Sequence, residues 1–168
     1  AVWLDARRTS PYQFRQFWMQ LSDIDIEKML PQFSLRSMDE INEILTEQRA
    51  RPESRVAQRT LARELTELLH GEESAIAAEQ AADVLFGANP ISASPAALHL
   101  IASEVAGSAM GKAALGDAVS VLVLTGLATS NTEARRLLTQ RSVRANGEQI
   151  DEHTKLDKIP LLHSRWLL

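Results

Sequence analysis

The chain contains no cysteine. That excludes disulfides, thiolate catalysis and cysteine-ligated zinc. No apolar run approaches the ~20 residues of a membrane-spanning helix, so no membrane partner is expected. The opening AVWLDARRTS carries charge where a secretory leader needs an apolar core; no signal peptide is expected, and a cytoplasmic setting fits. There is no glycine-rich phosphate loop, no G-x-S-x-G, and no Ser/His/Asp set in a supporting context. Four histidines (His70, His99, His153 and His163) are scattered without i, i+4 pairing, so no metal site is expected. His70, at a helix end, is the kind of residue that favours the helix dipole. The adjacent acids Asp39-Glu40 and Glu72-Glu73 answer the dipoles of helix N-termini; neighbours in sequence point to different faces and make poor acid pairs. Nothing in these residues performs a reaction.

What is present is an ordinary soluble composition, 45% apolar and 24% charged, over 168 residues. One domain or two small ones can be built from it. The net charge of −4 hides an asymmetry: residues 1–110 hold 10 Lys+Arg against 16 Asp+Glu, and residues 111–168 hold 8 against 6. A generally basic nucleic-acid binder is excluded, but the last third is positive.

The chain reads as a series of capped helices. AVWLD opens like the end of a strand or loop of something larger. Ser10-Pro11, with Gln13, starts a helix over 11–20 whose Phe14, Phe17 and Trp18 should face a core. Asp23 is expected to cap a second helix that Pro31 stops. Ser37 with Glu40 starts a third, with Ile41, Ile44 and Leu45 inward. Pro52 should begin a long helix with Leu61, Leu65, Leu68 and Leu69 as its apolar stripe, ending at His70-Gly71. An alanine-rich helix over 72–86 follows, then one from Ser94-Pro95 to about Val105. Glycines and small residues mark 108–116 as a linker.

Residues 119–150, VSVLVLTGLATSNTEARRLLTQRSVRANGEQI, predict a short helix ending at Gly126. A second helix is capped by Ser130, with Glu133 closing a capping box. Asn146-Gly147 supplies the two positive φ values of a type I′ turn, so 143–145 and 148–150 should pair as a hairpin. Arg135, Arg136, Arg141 and Arg144 fall within ten residues on this helix and strand. Two readings stand: a phosphate-facing surface whose affinity falls with salt, or solvated arginines on a helical protein–protein adaptor. The fold class expected is mainly α, a helical bundle followed by a small α+β module.

These residues carry a resemblance. The chain resembles the C-terminal portion of bacterial-type tyrosyl-tRNA synthetases, which are class I aminoacyl-tRNA synthetases, over nearly all its length. AVWLDARRTSPYQFRQFW is similar to the segment after that family's KMSKS-type loop. LARELTELLHGEESAIAAEQAADVLFG is similar to its LA-x-E-x-T-x-L-x-H-G-E helical pattern. The last fifty residues or so resemble the RNA-binding module named after the fourth protein of the small ribosomal subunit, commonly S-K-x-E-A-R-R-L-I-x-x-G-x-V-x-V-N-G. Ser130, Glu133, Ala134, Arg135, Arg136, Leu137, Leu138, Val143, Asn146 and Gly147 match it. Asn131 stands where lysine is frequent, and Arg141-Ser142 replaces a glycine-containing turn.

The resemblance implies residues 1–10 as the tail of the signature-loop region and 11–107 as a helical anticodon-binding domain. It implies 108–116 as a linker and 117–168 as the RNA-binding module, cut short at its basic end and so a weaker RNA binder. It implies tyrosine tRNA as partner, met through Ser130, Asn131, Arg135, Arg136, Arg141 and Arg144. Asp23 is placed like a carboxylate that accepts hydrogen bonds from a guanine edge, beside its plainer reading as an N-cap. The parent activity implied is ATP-dependent ligation of tyrosine to tRNA by a homodimer. The ATP site, tyrosine pocket and dimer interface belong to a Rossmann-type domain not represented in the sequence; the chain alone is expected to be an inactive monomer without a cofactor.

Overall fold

The computed structural model describes residues 2–111, 114–165 and 167. The protein is mainly helical and divides into two compact units, Ala1–Asp83 and Val84–Leu168.

In the first unit, α1 (Pro11–Met19) is capped by Ser10, whose Oγ accepts from the Gln13 N–H at 3.1 Å. Phe14 is buried, but Phe17, expected inward with it, is 43% exposed. The cause is Arg15, also buried: residues two apart lie ~200° around a helix, so burying Arg15 turns Phe17 outward. Helix α2 (Asp23–Phe33) is capped by Ser22 and not by Asp23; Ser22 Oγ accepts from the Asp25 N–H at 3.1 Å. Pro31 does not stop it. Proline removes one intrahelical bond near the end, and the last turn closes beyond it with the Ser34 N–H on the Leu30 carbonyl at 3.0 Å.

Helix α3 (Met38–Ala50) has the expected capping box, Glu40 N–H on Ser37 Oγ at 3.3 Å and Ser37 N–H on Glu40 Oε2 at 2.9 Å. The next helix begins later than Pro52 suggests. Pro52–Ser54 forms a 3-10 turn, Arg55 takes a left-handed φ of 51°, and α4 runs Val56–His70. The Arg55 guanidinium donates to the Met19 and Leu21 carbonyls, which fixes that break. On α4 the buried face is Ala57, Gln58, Leu61, Ala62, Leu65 and Thr66, two rows at i, i+4. Leu68, seven residues after Leu61 and so on the same side of the helix, lies with Leu69 in the last turn, past Leu65, the last α4 residue of the core cluster, and the two are 59% and 42% exposed. The core of this unit joins Phe14, Ile26, Leu30, Ile41, Leu45, Ala57, Leu61 and Leu65. Helix α5 (Glu72–Leu85) follows Gly71 (φ 84°) and buries Ala75, Ala77, Ala78, Ala81 and Ala82.

His70 ends α4 with its ring edge-on to Phe14, centroids 5.3 Å apart, and its Nε2 is buried without a partner. Burial pushes its pKa below the ordinary 6.5, opposite to what a dipole-stabilised cation would show. The unfolded chain therefore binds more protons than the folded one below that value, and stability falls as pH drops through it. Urea midpoints should decline between pH 7.5 and 5.5, and His70→Phe should flatten that decline; an unchanged slope would remove His70 from the account.

The second unit begins inside α5, ahead of the stretch 108–116 that the sequence marks as a linker; Lys112 and Ala113 of that stretch lie outside the described residues. Helix α6 (Pro95–Glu104) has Ser94 as cap, accepting from the Ala97 N–H. Helix α7 (Ala118–Leu124) is capped by Asp117, which the Ser120 N–H holds below the usual carboxylate range, and closes at Gly126 (φ 76°). Helix α8 (Asn131–Thr139) leads to strands β1 (Arg144–Ala145) and β2 (Glu148–Gln149), an antiparallel pair with Arg144 opposite Gln149 and Ala145 opposite Glu148. Ala118, Val119, Leu122, Ala134, Leu138, Ala145, Ile150 and Leu156 belong to its core. No described helix is long and apolar enough to cross a membrane.

Candidate RNA-binding surface

The α8–hairpin segment forms largely as its sequence dictates. Ser130 Oγ accepts from the Glu133 N–H at 3.2 Å. The reciprocal arm differs: Glu133 reaches one residue further back and accepts from the backbone N–H and hydroxyl of Thr129 instead of Ser130. Those bonds hold the Glu133 carboxyl below the usual carboxylate range. They also tie down the loop that enters the helix. Ala134 and Leu138 are buried and Leu137 is partly so, which leaves the other side of α8 to solvent.

Arg135 and Arg136 are exposed on that side. Arg136 stands 4.0 Å from Glu133, a loose surface pair worth little. The turn after α8 is settled by hydrogen bonds. Arg141 N–H donates to the Leu138 carbonyl at 3.0 Å and Ser142 N–H to the Leu137 carbonyl at 3.1 Å, the two bonds of a Schellman motif. Its left-handed position, usually glycine, is held by Arg141 at φ 54°. Arg141-Ser142 thus keeps the geometry of a glycine turn and adds a charge at a steric cost. Arg141→Gly should raise stability by about 1 kcal/mol while lowering RNA affinity; a drop in the unfolding midpoint would contradict the strain.

Arg144 is exposed and the adjacent Ala145 buried, as strand alternation requires. Asn146 (φ 52°) and Gly147 (φ 88°) make the turn, and the Ile150 N–H on the Val143 carbonyl at 3.2 Å extends the pairing to the expected length. Asn146 Nδ2 donates to the Pro160 carbonyl at 2.8 Å, and a Cβ at Gly147 would come within 3.2 Å of Asn89 and Pro90. The hairpin is anchored at its tip. Ser130, Asn131, Arg135, Arg136, Arg141 and Arg144 are all exposed on one helix, its caps and the following strand.

Asp23 stands in the first unit. It is the first residue of α2, and its Oδ1 accepts from Gln48 Nε2 at 2.9 Å and Gln58 Nε2 at 3.1 Å. The two glutamines escape a motif search, yet they leave a signal. Gln48 lies on the stripe of Ile41 and Leu45, and Gln58 on that of Leu61 and Leu65, where an apolar residue is expected. Among the described residues no group of three or more His, Asp or Glu is arranged to hold a metal.

A family model described as tRNA synthetases class I (W and Y) matches residues 1–87. The chain is 40% identical over 151 residues to a tyrosine–tRNA ligase of Neisseria meningitidis, covering 88% of this chain and 34% of that one. It is 40% identical over 172 aligned positions to one of Streptomyces griseus, covering 100% of this chain and 40% of that one. A C-terminally truncated mitochondrial tyrosyl-tRNA synthetase of Aspergillus nidulans is 38% identical with a TM-score of 0.49, covering 51% of this chain and 25% of that one. The chain belongs to the tyrosyl-tRNA synthetase family of class I tRNA synthetases. It spans 34–40% of the length of these two curated relatives.

Proposed function

We propose that this chain supplies the tRNA-binding part of a tyrosine–tRNA ligase. The observation that carries the reading is the set of four exposed arginines, Arg135, Arg136, Arg141 and Arg144, on a capped helix and anchored hairpin. They stand in the basic third of an otherwise acidic chain whose relatives are tyrosine–tRNA ligases. In this reading 11–107 is the helical domain that faces the anticodon, and 117–168 is a module like that of the fourth small-subunit ribosomal protein. Residues 108–116 join them, and 1–10 end the signature-loop region. The module grips RNA phosphates through the arginines and through Ser130 and Asn131 at the start of α8. Asp23 faces the anticodon.

Activation of tyrosine with ATP belongs, in this reading, to a Rossmann-type part of the enzyme, which also makes the homodimer and works in the cytoplasm. Its support is that the described residues form helices and one two-stranded sheet, over 34–40% of the relatives' length. The test has two arms. The chain alone should retain tyrosine tRNA at low salt and should catalyse no tyrosine-dependent pyrophosphate exchange above background. Exchange above background would refute the division of labour; failure to retain the tRNA would refute the RNA role and favour a protein–protein adaptor.

A further inference from the structure

The surroundings of Asp23 support one step more, which rests on the RNA reading above. We propose that Gln48 and Gln58 are positioning residues for Asp23: they hold its Oδ1 and leave Oδ2 as the acceptor for a base edge of bound RNA.

Both amides are fixed. Gln48, 2% exposed on α3, donates from Nε2 to Asp23 Oδ1 and to the Pro52 carbonyl at 3.2 Å, while its Oε1 accepts from the Ala57 N–H at 3.2 Å. Gln58, fully buried on α4, donates from Nε2 to the same Oδ1 and to the Leu21 carbonyl at 3.3 Å. Arg55, bonded to the Met19 and Leu21 carbonyls, braces the loop that leads into Asp23. Two donors occupy the lone pairs of Oδ1, a carboxylate oxygen offering about two acceptor sites. Oδ2 has no partner among the described residues, and Asp23 is exposed.

An exposed aspartate in the first turn of a helix needs no clamp to stay folded, since the helix dipole already favours it. Here two buried side chains from two helices are spent on it. Gln58 Oε1 is buried with no hydrogen-bond partner among the described residues, so the amide is held through Nε2. The two amides give a carboxylate whose free oxygen has one direction. Bases in single-stranded loops are read by hydrogen bonds at their Watson–Crick edges. Guanine offers N–H donors at that edge; adenine places a ring-nitrogen acceptor opposite the carboxylate and is repelled.

Gln58→Met separates this role from folding. It removes the unpartnered Oε1, the Leu21 carbonyl keeps Arg55, and Asp23 keeps Gln48. The probes are the tyrosine tRNA transcript and the same transcript with its anticodon guanine changed to adenine. The readout is the ratio of the two dissociation constants for wild type, Asp23→Asn, Gln58→Met and the double variant. Each ratio is taken on one protein preparation, so a reduced folded fraction cancels. Asp23→Asn should lower the guanine preference by about tenfold and Gln58→Met by about threefold. The double variant should match Asp23→Asn alone, because the glutamine acts through the aspartate. Gln58→Met with the wild-type ratio beside a loss in Asp23→Asn would overturn the positioning role and leave the RNA reading standing. Additive losses would overturn it as well. Unchanged ratios in all variants, with tRNA still bound, would overturn it together with the role of Asp23 while sparing the arginine surface. If wild type binds neither transcript, the RNA reading itself fails and the inference with it.

Discussion

Replacing Arg135 and Arg136 together with alanine should weaken tyrosine-tRNA binding on the order of tenfold and lower the log–log salt slope by about two. Each arginine that neutralises a phosphate releases condensed counterions, and losing the contact loses about one unit of slope. Stability should hardly move, because both side chains are exposed and the Arg136–Glu133 separation is 4.0 Å. A control distinguishes a local surface from net charge. Arg7 and Arg51 are also exposed, each bonded to its own carboxylate, Asp5 and Glu47, in the first unit. Alanine at those two changes the formal charge equally and should leave the slope near that of wild type. Filter-binding or fluorescence titrations at several salt concentrations make the comparison. Equal effects of the two pairs would show that the protein responds to bulk charge alone.

The second large effect separates two leucines that look alike in the sequence. Leu61→Ala should destabilise the chain by about 2–5 kcal/mol, the range for emptying a buried leucine site. Leu68→Ala should change stability by less than about 0.5 kcal/mol. Leu61 is 0% exposed and Leu68 59%, although both fall on the stripe drawn from i, i+3, i+4 spacing. Urea unfolding followed by far-ultraviolet circular dichroism resolves the difference, and similar losses for the two variants would contradict the packing of α4.

That pair also shows how far the sequence could be read. Local chemistry was legible at several caps and turns whose bonds span three or four residues, though not at Ser22, which caps α2 in place of Asp23, nor at Glu133, which reaches Thr129. Ser37 with Glu40, Ser130 with Glu133 N–H, and the Asn146-Gly147 turn all form as their residue types require. Side-chain patterning was less so, because a stripe drawn by period has two flanks, and only the packed partner decides which flank is covered. Phe17 is exposed for that reason, and Leu68 because it lies in the last turn of α4, past the last core residue Leu65. Breaks set by distant groups were not legible at all. Arg55 leaves the helical region while bonded to carbonyls more than thirty residues earlier, so α4 starts at Val56. Pro31 ends nothing, because proline near a C-terminus removes only one bond of a turn that closes elsewhere.

The candidate surface divides the same way. The arginines could be found by counting, since all four fall within ten residues. Arg141 could be named but not its conformation, which depends on the carbonyls of Leu137 and Leu138 demanding a left-handed residue. Asp23 reads as a cap in the sequence because aspartate favours that position; Ser22 holds it instead, one residue earlier, freeing the carboxylate to meet two glutamines from other helices. Such meetings at sequence separations of 25 and 35 residues have no local signature beyond a polar residue on an apolar stripe.

The measurement that bears most directly on the whole account is a titration of tyrosine tRNA against this chain at two salt concentrations, near 0.05 M and 0.2 M. Measurable binding at the lower salt, weakened at the higher by a slope that reflects about three or four phosphate contacts, is the result expected from Arg135, Arg136, Arg141 and Arg144. No binding at the lower salt, or binding that does not change between the two, would contradict it.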